Sequence, residues 1–160
     1  METRPTIGIL ALQGNFYQHA ALLQSIGTNP VLVKTASDLT SDMEGLVLPG
    51  GESTTMVKLL KADKGGLWET ILEFGRNGKP ILGTCAGLVL MARALEPEND
   101  MVKTMGFLNI VVQRNAYGPQ INSQFNDIKT ISDQTFSVSF IRAPAITQLG
   151  KGVEVLAEFD

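Results

Sequence analysis

Cysteine and histidine are almost missing from this chain: 160 residues carry one of each, Cys85 and His19. One cysteine rules out an internal disulfide and fits a reducing compartment, so a cytoplasmic location is expected. One cysteine with one histidine also leaves no ligand set for a zinc site, and no metal is expected. Positive charge is scarce as well. The net charge is −3 and no Lys/Arg cluster occurs, which gives no electrostatic basis for binding nucleic acid or an anionic membrane. No apolar run approaches the ~20 residues that span a bilayer. Residues 1–5 lack the apolar core of a signal peptide. Repeats, low-complexity tracts and linkers are absent too, so one domain over residues 1–160 is expected. What is present is apolar residue: 44% of the chain is hydrophobic and 18% charged, enough for a core without disulfides.

The apolar residues come in short runs. Thr6 to Leu12 reads as a strand covered on both faces. Asn15 then stands ready to cap a helix with apolar positions at Phe16, Ala20, Leu23 and Ile26, ended by Gly27. Strands are predicted at Pro30–Val33, Gly45–Leu48 and Lys79–Leu82. Helices are predicted from a Ser53 or Thr54 cap to about Leu60, from Leu67 to about Asn77, and from Leu88 to Leu95. Beyond Met101 the pattern changes to strands joined by turns: Phe107–Gln113, Gln124–Ile131, Phe136–Ile141 and Val153–Phe159. Together these predict an α/β fold. A doubly wound, mostly parallel sheet has helices on both faces and an antiparallel extension at one edge.

Ligands of such sheets bind where loops leave the carboxyl ends of the strands. Three loops qualify: Gln13-Gly14-Asn15, Pro49 to Ser53, and Thr84 to Gly87. The last sets Cys85 on a strand-turn-helix elbow, where a thiol gains from the helix dipole and adjacent N–H groups. The opposing reading is a cysteine packed as a small hydrophobe. Gly50-Gly51 can offer N–H groups to a developing negative charge, or be a tight turn before a helix. Ser53 lacks the second glycine of a serine elbow. Glu52 either favours the following helix dipole or faces a substrate ammonium. Arg114 and Arg142 each follow an apolar strand, and either hold a carboxylate or mark a solvated strand end. His19 lies about one turn into the first helix. A surface or interface role is expected for it, with catalytic base as the alternative, because no histidine follows Cys85.

Gly45 to Thr55 and Gly83 to Leu88 are two specific motifs in the right order. They are accompanied by Leu12-Gln13-Gly14, Gln113-Arg114-Asn115, Phe140 to Pro144 and Val153 to Leu156. Along nearly its whole length the chain resembles the glutaminase subunits of two-protein pyridoxal 5′-phosphate synthases, which are class I glutamine amidotransferases with a flavodoxin-like sheet. The resemblance implies that Cys85 attacks the side-chain amide of L-glutamine, forming a thioester as ammonia leaves. It implies that the N–H groups of Gly51 and Ala86 hold the oxyanion. Gly51, Glu52, Ser53, Arg114, Ile141 and Arg142 map to glutamine-contacting positions, and Gln13 to the neighbourhood of the site and the synthase interface; His19, read from its place on the first helix, is expected near the same region. Ammonia passes to a PdxS-like synthase subunit for vitamin B6 biosynthesis. Pyridoxal phosphate is the product of the complex, and no cofactor of this chain is implied.

The chain departs from the family pattern in three places. Ala116 to Gln120 replaces Ser-Phe-Gly-Arg-Gln, putting Pro119 where a charged side chain is usual. Asn126 stands where a glutamate is usual. The family also runs on for roughly thirty residues, about one βαβ unit, to a His-Pro-Glu segment that supplies the base and its carboxylate. No such segment occurs here. The expectation is therefore a chain truncated before its triad histidine and glutamate, with a non-catalytic synthase-binding subunit as the alternative.

Overall fold

The computed structural model describes residues 4–118 and 124–158. Strands β1 (Thr6–Leu10), β2 (Asn29–Val33), β3 (Gly45–Leu48) and β4 (Ile81–Gly83) form one parallel sheet in the order β2-β1-β3-β4. The chain winds outward from β1 to β2, then back past β1 to β3 and β4. With right-handed crossovers, that reversal puts the helix after β1 on one face and those after β3 on the other. Helix α1 is Phe16–Ser25, α2 is Ser53–Ala62, α3 is Leu67–Arg76 and α4 is Ala86–Met91. The doubly wound expectation is met.

Burial on both faces explains the unbroken apolar strands. Leu10, Leu46 and Leu48 join the main core with Met56, Leu60, Leu67, Trp68, Ile71 and Leu90. Ile9 and Val47, pointing the other way, are buried outside that cluster. Each such side chain contributes about 1.5–3 kcal/mol by leaving water. Helix α3 buries Leu67, Trp68, Ile71 and Phe74, the one-face spacing of an amphipathic helix. Its first turn is capped by Asp63, whose carboxylate accepts the Leu67 N–H at 3.0 Å. Helix α1 differs: none of its residues is fully buried. Phe16, Ala20 and Leu23 are half-buried, whereas Ile26, read as a core position, is exposed.

The second half adds β5 (Ala92–Leu95), β6 (Leu108–Gln113), β7 (Gln124–Thr130), β8 (Thr135–Phe140), β9 (Ala145–Leu149) and β10 (Ala157–Glu158). They make two three-stranded sheets, β5-β6-β9 and β10-β7-β8. In the first, β5 runs parallel and β9 antiparallel to β6; in the second both pairings are antiparallel.

Three boundaries differ from expectation. The helix predicted over Leu88–Leu95 ends at Met91, because Ala92 turns extended and Ala92–Leu95 pairs with β6. A buried apolar run carries no period to separate the two. The strand predicted at Val153–Phe159 is paired only at Ala157–Glu158, and Phe159 lies outside the described residues. Strand β9, seated against β6, falls in a stretch read without a strand. Pro119 also lies outside the described residues.

Candidate active site

Loops after β1, β3 and β4 meet at the carboxyl edge of the parallel sheet. The first two are locked together. The Asn15 N–H donates to the Gly50 carbonyl at 3.1 Å. Gly14 has φ 92°, and a Cβ there would lie 1.9 Å from that same carbonyl oxygen, so only glycine allows the approach. Gln13 grips the next peptide. Its Oε1 accepts the Glu52 N–H and its Nε2 donates to the Glu52 carbonyl, each at 3.2 Å.

Glu52, and not Ser53 or Thr54, is the N-cap of α2. Its carboxylate accepts from the Thr54 N–H at 3.2 Å, the Thr55 N–H at 2.7 Å and the Thr54 hydroxyl. Arg114 Nη2 donates to Oε1 of the same group at 3.3 Å. Burial pushes the Glu52 carboxyl up, but the Thr54 and Thr55 hydrogen bonds outweigh it and bring it down to about 2. Glu52 is therefore ionised at neutral pH. Asn15 stands at the N-cap of α1 as expected, but its side chain caps nothing.

Cys85 joins β4 to α4 at φ 48°, ψ −105° and is exposed. A non-glycine residue held there costs roughly 1–3 kcal/mol. Its neighbours hold the turn: the Thr84 N–H donates to the Leu48 carbonyl at 3.0 Å and the Gly87 N–H to the Thr84 carbonyl at 2.8 Å. A Cβ on Gly87 would lie 1.9 Å from the Leu48 oxygen, which explains the glycine two residues after the thiol. Among the described residues, no protein acceptor takes the N–H of Gly51 or Ala86.

A pocket of about 730 Å³ opens over this turn. Gly51, Glu52, Ser53, Cys85, Ala86, Arg114, Ile141 and Arg142 all line it, so eight of the residues singled out in the sequence share one cavity. Arg142 reaches it from a backbone at φ 48° just after β8. Ser53 is buried. Gln13 and His19 are outside the lining and touch it from behind: Gln13 through Glu52, His19 through a 3.1 Å hydrogen bond between its Nε2 and Thr84 Oγ1. Burial lowers the His19 pKa below its ordinary 6.5. Among the described residues no hydrogen bond links His19 to Cys85. Asn126 sits on β7 opposite Val138, away from the pocket lining. Asn15 and Thr84 also line the pocket, from loops the sequence pointed to without assigning either residue a role, whereas Ser139, inside β8, carried no signal.

A family model describing the SNO glutamine amidotransferase family matches residues 9–160. The chain belongs to that family. Pyridoxal 5′-phosphate synthase subunit PdxT of Shouchella clausii is 45% identical over 156 residues, covering 96% of this chain and 77% of that protein. Its namesake from Tropheryma whipplei (strain TW08/27) is 41% identical over 155 residues, covering 97% and 80%. A crystal structure of a glutamine amidotransferase superposes with a TM-score of 0.85 at 35% identity, over 96% of this chain and 79% of that one. PurLQS from Thermotoga maritima, at 15% identity and a TM-score of 0.68, shares the fold over 97% of this chain and 74% of its own. Among the described residues, no helix of this glutamine amidotransferase family member is long and apolar enough to cross a membrane.

Proposed function

We propose that this chain is the glutaminase subunit of a pyridoxal 5′-phosphate synthase, releasing ammonia from L-glutamine for a PdxS-like partner in the cytosol. The observation that carries the reading is the pocket that unites the strained Cys85 turn, the Gly50-Gly51-Glu52 loop and two arginines. Glutamine is a zwitterion with a neutral amide tail. The Glu52–Arg114 pair, with Arg142 lining the same pocket, offers a carboxylate to its ammonium and guanidinium groups to its carboxylate. The amide then extends toward Cys85.

Cys85 Sγ attacks the amide carbon, and the N–H groups of Gly51 and Ala86, which no protein acceptor uses among the described residues, stabilise the oxyanion. Collapse expels ammonia, which takes up the thiol proton and leaves a γ-glutamyl thioester. Water cleaves the thioester to glutamate and restores the thiol. The resemblance puts the proton carrier in a His-Pro-Glu segment, which these 160 residues do not contain. The residues here supply nucleophile, oxyanion N–H groups and substrate grip. Exposed Leu22, Tyr17 and Ile26 on and just after α1 suit a subunit that docks on another protein.

The test is ammonia release from L-glutamine by mass-verified protein, with and without the synthase subunit, beside Cys85→Ala. Cys85-dependent release supports the reading. Tight binding of the synthase with no hydrolysis and no labelling of Cys85 by a glutamine-derived diazoketone would replace it with a non-catalytic docking subunit.

A further inference from the structure

His19 is the titratable side chain beside the elbow that the chemistry above leaves without a task. We infer that His19 is a positioning residue: its hydrogen bond to Thr84 holds the nucleophile turn in the strained form that presents Cys85 to the pocket. This rests on the reading of Cys85 as nucleophile.

The need for such a tie follows from the geometry. A residue at φ 48°, ψ −105° relaxes to an ordinary conformation unless its surroundings prevent it. The Gly87 N–H and the Val89 N–H, donating to the Thr84 and Cys85 carbonyls at 2.8 and 3.1 Å, restrain the downstream side. Upstream, the sheet offers less. Strand β4 has three residues, pairs with β3 alone among the described strands, and leaves Leu82 57% exposed. Beyond the β3–β4 ladder, which ends at the Leu48–Gly83 pair, one backbone bond, from Thr84 to Leu48, holds that side of the turn. The Thr84 side chain is then fixed by His19, which crosses from α1 over 65 residues of sequence.

His19 is suited to hold rather than to react. It is half-buried, lies off the pocket lining and has no bond to Cys85 among the described residues. A neutral imidazole serves Thr84 in either tautomer, accepting from its hydroxyl or donating to it.

The experiment measures the rate of Cys85 alkylation by iodoacetamide in the full chain, with glutamine hydrolysis beside the synthase subunit as a second readout. His19→Ala and Thr84→Val should each slow alkylation roughly three- to tenfold, the scale of one hydrogen bond. Hydrolysis should lose kcat with little change in KM. The double variant should be no slower than the worse single one, because both remove the same contact. Thr84→Ser and His19→Gln, which keep a partner, should stay near wild type. A merely structural histidine would lower Tm and leave alkylation of folded protein unchanged, and that outcome, or multiplying effects in the double variant, overturns the inference. Should His19→Ala fail to fold, the near-isosteric Thr84→Val against Thr84→Ser decides it. If L-glutamine fails to protect wild-type Cys85, the active-site reading fails instead.

Discussion

Gln13 holds the Glu52 peptide from both ends, accepting its N–H and donating to its carbonyl at 3.2 Å each. The clamp fixes the peptide next to Gly51, whose N–H is the proposed oxyanion donor, and it comes from the same short segment that carries His19. A Cβ on Gly51 would lie 2.3 Å from Gln13 Nε2, so a side chain there would push the Gln13 amide out of the clamp.

Removing the clamp separates the oxyanion loop from the thiol. Gln13→Ala should lower kcat for glutamine hydrolysis about tenfold, as loosened oxyanion donors do, and leave Cys85 alkylation unchanged. Steady-state kinetics alongside alkylation rates check this; equal loss in both would mean that the loop also supports the elbow.

Two glycine substitutions should differ for a stated reason. Gly87→Ala forces a methyl against the Leu48 carbonyl, and should cost about 3 kcal/mol or more because backbone cannot give way. Gly27→Ala meets nothing within 4 Å and carries only its φ of 86°, a cost of about 1 kcal/mol. Urea unfolding of both variants measures the gap.

Glu52 should impose a recognisable acid dependence. Its carboxyl is about 2 in the folded chain against an ordinary 4.5, so the unfolded chain binds the proton first as pH falls. The stabilisation is complete above about 4.5 and drains away as pH drops toward about 2. Stability of wild type minus Glu52→Gln, followed by denaturation between pH 6 and 2, should shrink across that window. A constant difference would show that the cap is not acting through charge.

Arg114→Met should raise KM for glutamine about tenfold or more, since a charge-assisted carboxylate contact is lost. It should barely move the acid dependence of Glu52, because the Thr54 and Thr55 hydrogen bonds hold that carboxylate down. Kinetics and the same denaturation series separate the two effects.

The parallel half of the fold was readable in the sequence because Thr6 to Leu10 and Gly45 to Leu48 are buried on both faces and lead into the turn residues Gln13-Gly14-Asn15 and Pro49-Gly50-Gly51. Ala92–Leu95 was not, since a buried apolar run looks alike as helix or strand, and its pairing with β6 is non-local. The α2 cap was misread for a related reason. Serine and threonine are the usual caps, yet the longer Glu52 carboxylate reaches two N–H groups and a hydroxyl. The pocket residues were legible from their motifs. The His19–Thr84 contact was not, because it joins helix α1 to the loop after β4, which only folding brings together.

Cys85 sits where the backbone would be most relaxed with glycine. Cys85→Gly should therefore melt higher than wild type while losing its reactive sulfur. The residue that would best serve the fold at this position is one that could not perform the chemistry. Stability selection alone would erase the thiol, so a library screened for heat resistance without an activity screen should drift toward inert proteins through this single site.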